Sequence, residues 1–237
     1  MKYAAILVCL AGPAAAQSGG APTFSVPGGC DVYLTIQSES CSVEHHFTCE
    51  GDPAGHQRRV SLDEQGLTYV GEIDAETQWV RSFHVVTGHR EQLEDAPREP
   101  ASFSELMEKG VDDYDFRTLS DEIGETRYVG QDTLTGRQVT IDGITLDETT
   151  YDITAFDAAG NEVWSSQGNE FISRDWRMFM SGTGSVTTPD GTFEQSNRPV
   201  EFIFPGEPGF LSSQPKHGCG VAISSVDPFK ENTNDNL

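Results

Sequence analysis

Along most of this chain, apolar and polar residues alternate over short stretches. Val32, Leu34 and Ile36 take every second position in residues 31–37, the period of a strand with one buried face. Residues 43–49 can return antiparallel beside it after a turn at Glu39-Ser40. Further β-rich runs follow at 58–62, 67–70 and 79–85, then at 126–129, 137–141, 144–146, 151–156, 163–168, 170–173, 176–180 and 200–204. Clusters of turn formers divide them, among them Gly51-Asp52-Pro53-Ala54-Gly55, Asp142-Gly143, Asp157-Ala158-Ala159-Gly160 and Pro189-Asp190-Gly191. No strand-then-helix alternation occurs, so a doubly wound fold is excluded. The pattern predicts a mainly β protein: an antiparallel meander forming a barrel, half-barrel or sandwich.

One interruption reads as helix. Ser102-Phe103-Ser104-Glu105 matches a capping box, Leu106 and Met107 supply apolar contacts, and Gly110 fits the stop. This predicts about two turns of helix lying over one end of a sheet. The run Asp112-Asp113-Tyr114-Asp115 that follows lacks the glycine and distal glutamate of an EF-hand and reads as a solvated charge run. Ser181-Gly182-Thr183-Gly184-Ser185 lacks the order of a nucleophile elbow and reads as a flexible loop.

The first residues change the picture by giving it a compartment. Lys2, an apolar run over residues 3–10 and small residues at Ala14 and Ala16 make residues 1–16 a secretory leader, with Gln17 as the first mature residue. The run is too short to span a bilayer, and Val8 stands where a lipoprotein signal wants a small residue before Cys9. Residues 17–226 then form a single β-rich domain, and the polar residues 227–237 a disordered tail. The protein is expected in the periplasm or outside the cell, without membrane insertion. Against 38 Asp and Glu stand 15 Lys and Arg, a net charge of −23, which repels nucleic acid and anionic lipid.

Export leaves four cysteines, Cys30, Cys41, Cys49 and Cys219. An even number in an oxidising compartment predicts two disulfides, with three pairings open. No closely spaced pair suits zinc or redox exchange. If residues 43–49 return beside residues 31–37, Cys30 faces Cys49 across the ladder, which favours Cys30–Cys49 and leaves Cys41 for Cys219.

Candidate chemistry is sparse. His45 and His46 are adjacent on a strand and point to opposite faces. His84 and His89 can meet across a turn at Thr87-Gly88, with His56 a third ligand that no spacing supports. Surface histidines account for all six, and neither a metal nor a cofactor is expected. No phosphate-binding glycine loop is present, and any carboxylate pair or Ser–His–Asp set is unconstrained by spacing. Aromatic residues do gather in the later strands: Trp164, Phe171, Trp176, Phe179, Phe202 and Phe204. They either pack a β core or, if the sheet curls without closing, line an apolar cleft for a ligand.

In its strand rhythm over roughly residues 66–204, with the runs 128–132 to 141–143 and then Trp176-Arg177-Met178-Phe179, the chain resembles half-barrel proteins of the bacterial periplasm of the lipoprotein-carrier type. That resemblance implies a curved sheet holding acyl chains in an apolar cavity without a cofactor. The departures are a single helix and a disulfide-bearing hairpin at the start. The expected function is therefore a non-catalytic exported protein that binds an apolar small molecule or an envelope partner. The alternatives are a hydrolase whose site the fold assembles, and a structural or interaction module of the cell envelope.

Overall fold

The structure, a computed structural model, describes residues 22–220; the expected leader and tail lie outside the described residues. The alternating runs form thirteen strands: β1 (Cys30–Ser38), β2 (Ser42–Cys49), β3 (Gln57–Asp63), β4 (Gly66–Ile73), β5 (Trp79–His84), β6 (His89–Leu93), β7 (Val111–Ser120), β8 (Gly124–Ile141), β9 (Ile144–Asp157), β10 (Glu162–Ser173), β11 (Met178–Thr188), β12 (Gly191–Ser196) and β13 (Pro199–Ile203). A single helix, α1 (Phe103–Lys109), interrupts them between β6 and β7. All strands belong to one antiparallel sheet in the order β12-β11-β10-β9-β8-β7-β6-β5-β4-β3-β2-β1-β13. Every neighbour in sequence is a neighbour in space except at the seam, where β13 pairs with β1.

The sheet curls until its two edges nearly meet. Only Asn197 and Arg198 separate β12 from β13 in sequence. There the Asn197 amide donates to Gly182 O on β11 while Arg198 O accepts from the Glu39 amide beside β1, both at 3.0 Å. The chain therefore bridges the edges, although the ladder itself stays open between β12 and β13. Its inner face carries two apolar clusters. One joins Leu34, Ile36 and Phe202 to Leu146, Phe171, Met178 and Met180 across the interior; the other groups Tyr114, Phe116, Tyr128, Ile153 and Ala155.

The outer face of β1 and β2 is buried as well. Residues 22–24 and 211–217 cross it: Phe24 stacks on His45 with ring centroids 4.9 Å apart, the Leu211 amide donates to Thr35 Oγ1 at 3.1 Å, and the Lys216 amide to Gln37 Oε1 at 2.9 Å. Thr35, Gln37 and His45 are consequently fully buried. Thr35, Gln37 and His45 Nδ1 have hydrogen-bond partners, whereas His45 Nε2 has none among the described residues. The two disulfides are Cys30–Cys49 and Cys41–Cys219, the pairing that the strand register favours. A bulge between Val32 and Leu34 shifts that register, so Cys30 faces Cys49 but Ser38 faces Ser42. Cys41 sits in the turn with φ 57° and reaches the crossing segment instead of a ladder partner.

The helix forms as its caps dictate. Ser102 Oγ accepts from the Glu105 amide, and Gly110, at φ 80°, returns its amide to Leu106 O. Glu105 pairs with Lys109 rather than completing the box, and Asp112 accepts the Ser102 amide. Phe103 and Leu106 pack on Ile172, while Arg177 spans Phe103 and Glu76. This ties α1 to the β4–β5 and β10–β11 turns.

Three expectations are corrected here. Residues 112–115 are not a solvated run but part of β7, with Asp112 and Tyr114 turned inward and Asp115 clamped outside by Arg127. Residues 181–185 are not a loop but the middle of β11, paired with β10 on one side and β12 on the other. His45 and His46 are buried, not surface residues, because β2 is covered on both faces. For Asp112, Tyr114, His45 and His46, polar composition suggested solvent exposure where tertiary closure buries the side chains. Residues 181–185 stay half-exposed and are ordered by pairing on both sides.

Candidate functional site

The curled sheet encloses a cavity of about 540 Å³ between the two apolar clusters. Its aromatic wall follows from alternation on β7, β8 and β10, and on β5 from a bulge at Val80 that turns Trp79 to the inner face. Trp79 meets Phe116 and Tyr128 edge-on at 5.6 and 5.3 Å between centroids, and Tyr128 lies 6.0 Å from Trp164. Two inward glycines make room for rings. A Cβ on Gly130 would fall 2.3 Å from Asp152 O and 2.7 Å from Tyr114, and one on Gly71 would fall 2.6 Å from Tyr69. A side chain at Gly71 would push the Tyr69 ring aside, and one at Gly130 would displace Tyr114 and force the β8–β9 ladder apart at Asp152.

The rest of the lining is charged. Arg59 on β3 points inward between Glu44 and Tyr69: its guanidinium lies 3.8 Å from Glu44 Oε2 and 5.0 Å from the Tyr69 ring centre. Burial would raise the Glu44 pKa, but Arg59, His46 and Ser61 outweigh it and hold this carboxyl down to about 2. His46 Nε2 lies 3.3 Å from Glu44 Oε2, without the alignment of a hydrogen bond, and burial lowers its pKa. Across the cavity stand Glu170 and Asp132. Burial pushes Glu170 up to about 7 against the pull of Arg59. Burial, then the carboxylates of Glu170, Asp112 and Asp152, pushes Asp132 up to about 8. Asp112 faces Asp132 directly across the β7–β8 ladder and is itself raised by burial to about 6. One cation thus meets a group of carboxyls that keep protons near neutral pH, as like charges opposite one another in a sheet require.

These carboxyls set an expected pH dependence. A carboxyl whose folded pKa exceeds its unfolded value keeps a proton that the unfolded chain has released, so stability falls as pH rises between the two. Asp132 and Glu170 start from 3.8 and 4.5. His45, held down to about 4 from 6.5 chiefly by burial, acts in the opposite sense only below pH 6.5. Stability should therefore drop by about 1–2 kcal/mol between roughly pH 6.5 and 8, allowing for water in the cavity. Urea unfolding across that range measures it, and Asp132→Asn should flatten the profile. A flat wild-type profile would mean that Asp132 ionises normally.

Of the aromatic residues singled out by sequence, Trp164 and Phe179 line the cavity. Phe171 and Phe202 belong to the buried core cluster, and Trp176, in the β10–β11 turn, packs against Phe202 and Phe204. Arg59, Asp132, Glu170, Tyr114, Tyr128 and Trp79 were not foreseen. Their only signal is position: Tyr128, Gly130 and Asp132 share one face of β8, as do Trp164, Ser166 and Glu170 on β10. Nearby, His84 and His89 do face one another across the β5–β6 hairpin, whereas His56 binds Glu72 at 2.9 Å elsewhere.

Among the described residues, no helix is long and apolar enough to cross a membrane. Comparison with protein families, with curated proteins and with solved structures finds no match for this chain.

Proposed function

We propose that this is an exported, non-catalytic binding protein whose interior holds a small amphipathic molecule. A flat apolar body would lie among Trp79, Tyr128 and Trp164, and a hydrogen-bonding head would meet Arg59, Asp132 and Glu170. The observation that carries the reading is the cavity itself: its volume falls within the range of about 300–1,000 Å³ usual for ligand sites, and its walls combine aromatic surface with a few polar groups. A half-buried guanidinium and two carboxyls favour an amphipathic ligand over the bare acyl chains that half-barrel carriers of lipoproteins accept. Export is supported by the leader pattern of residues 1–16 and by the two disulfides, which fit an oxidising compartment.

Native mass spectrometry of protein purified from an oxidising compartment tests this, together with titration by the amphipathic dye 1-anilinonaphthalene-8-sulfonate. An adduct lost on organic extraction, or saturable one-site dye binding, is expected. Trp164→Ala should weaken the dye roughly 3- to 10-fold, the loss of one aromatic contact. A bare native mass with no saturable dye binding would sink the reading.

A second reading has one observation in its favour. Asp132 and Glu170 hold protons near neutral pH inside the cavity, a setting that suits general acid catalysis in a hydrolase. Turnover of chromogenic esters or glycosides that is lost in both Asp132→Asn and Glu170→Gln would favour it. Dye binding without turnover would not.

A further inference from the structure

We propose that the β5–β6 hairpin carries a binding site for a first-row divalent cation, zinc being the test case, formed by His84, His89 and Glu91. One ring nitrogen of each histidine and a Glu91 oxygen lie within 4.8 Å of one another. Glu91 Oε2 is 3.1 Å from His84 Nε2 and 3.9 Å from His89 Nε2. Metal–ligand bonds of about 2.1 Å in a tetrahedron separate the ligand atoms by roughly 3.4 Å, which those two distances bracket. A cation between them needs small side-chain shifts and a turn of one imidazole about its χ2.

The surroundings are arranged as metal ligands require. The two rings are stacked, with centroids 4.4 Å apart and an angle of 13° between planes. Both edges are within reach of one ion once one ring turns out of the stack to aim its in-plane lone pair at it. His89 Nδ1 lies 2.8 Å from Thr87 Oγ1, which leaves Nε2 free to face Glu91. Glu91 is buried, and its other oxygen, Oε1, accepts from Thr118 Oγ1 at 2.7 Å and Tyr128 OH at 3.1 Å. Oε2 is thereby presented to both imidazoles. Without a cation Oε2 bonds His84 but is too far from His89, at 3.9 Å, to bond it as well. The null alternative is a plain His84–Glu91 hydrogen bond beside an idle ring.

Two imidazoles and one carboxylate leave a fourth position open. His84, Ser82 and Glu91 all border the cavity, so that position adjoins the proposed ligand space. The inference goes beyond the binding reading and does not rest on it, since the three ligands and their supports belong to the hairpin and to β7 and β8.

The test is isothermal titration of the full chain with zinc chloride after chelator treatment, with cobalt(II) absorption as a second readout. One equivalent of saturable zinc binding and the visible bands of four-coordinate cobalt are expected. His89→Ala should abolish both, and Thr87→Val should weaken zinc on the order of tenfold, the usual effect of losing an outer hydrogen bond to a ligand. His56→Ala should change neither. Glu91→Gln is the less secure variant, because Glu91 also anchors Thr118 and Tyr128; His89, at the tip of the hairpin, carries no such load. Absence of binding in the wild type, or unchanged binding in His89→Ala, would overturn the site whatever the dye experiment gives.

Discussion

Replacing Arg59 by methionine is expected to cost about 1–2 kcal/mol of unfolding free energy at pH 8 and much less at pH 5. Arg59 is the cation held between Glu44 and Glu170. Removing one member of a fully buried ion pair costs about 3–5 kcal/mol. The 3.8 Å separation and the half-buried Arg59 side chain, open to water in the cavity, reduce that to about 1–2 kcal/mol. Methionine keeps the contact with Tyr69, so little of the loss comes from packing. The pH difference follows from Glu44. In the wild type its pKa lies near 2, and Arg59 is the largest of the groups that oppose burial there, so its loss raises that value. It then folds without penalty while protonated, and the penalty grows as pH rises through the folded value. Urea titrations of the two proteins at pH 5 and pH 8 measure the effect, and Glu44→Gln in the same chain should restore most of the loss. An equal deficit at both pH values would assign Arg59 a packing role instead.

Removal of the Cys41–Cys219 disulfide by Cys41→Ser with Cys219→Ser should cost more, up to about 5 kcal/mol in the chain-entropy account. The bridge closes a loop of sequence separation 178, against 19 for Cys30–Cys49, for which the same account gives about 3 kcal/mol. It also fixes the segment that covers Thr35, Gln37 and His45, next to the Cys41 amide bonded to His217 O. Amide exchange at β1 and β2 should therefore rise in this variant beyond what global destabilisation explains, and Cys30→Ser with Cys49→Ser should not produce that excess. A loss below about 1 kcal/mol would mean that the reduced chain already keeps its ends together.

The strands, the helix caps and the disulfide pairing were legible because each has a local cause. Asp142-Gly143 is an example: both residues take positive φ, 48° and 79°, as a two-residue hairpin turn demands. Ser102 and Gly110 announce α1 in the same way. The cavity was not legible, for a reason visible in Asp112, Asp132 and Glu170. Alternation tells which residues share a face, but these carboxyls share the inward face with Tyr114, Tyr128 and Trp164. Polarity assigns such residues to solvent, and only closure of the sheet puts them inside. Glu91 escaped notice likewise: it lies two positions after His89 on the same face of β6, yet one glutamate among many acidic residues carries no mark.

The seam between β13 and β1 shapes how this chain can fold. Ten of the eleven connections in the β1–β12 meander are short, the β6–β7 link that carries α1 being the exception, so hairpins can zip up locally with little loop-closure entropy to overcome. Pairing of Ile36 with Phe202 spans nearly the whole domain and cannot form until the curl is nearly complete. Rate limitation should therefore concentrate in one late closure step, and until it occurs the open edge of β1 is available to a second chain.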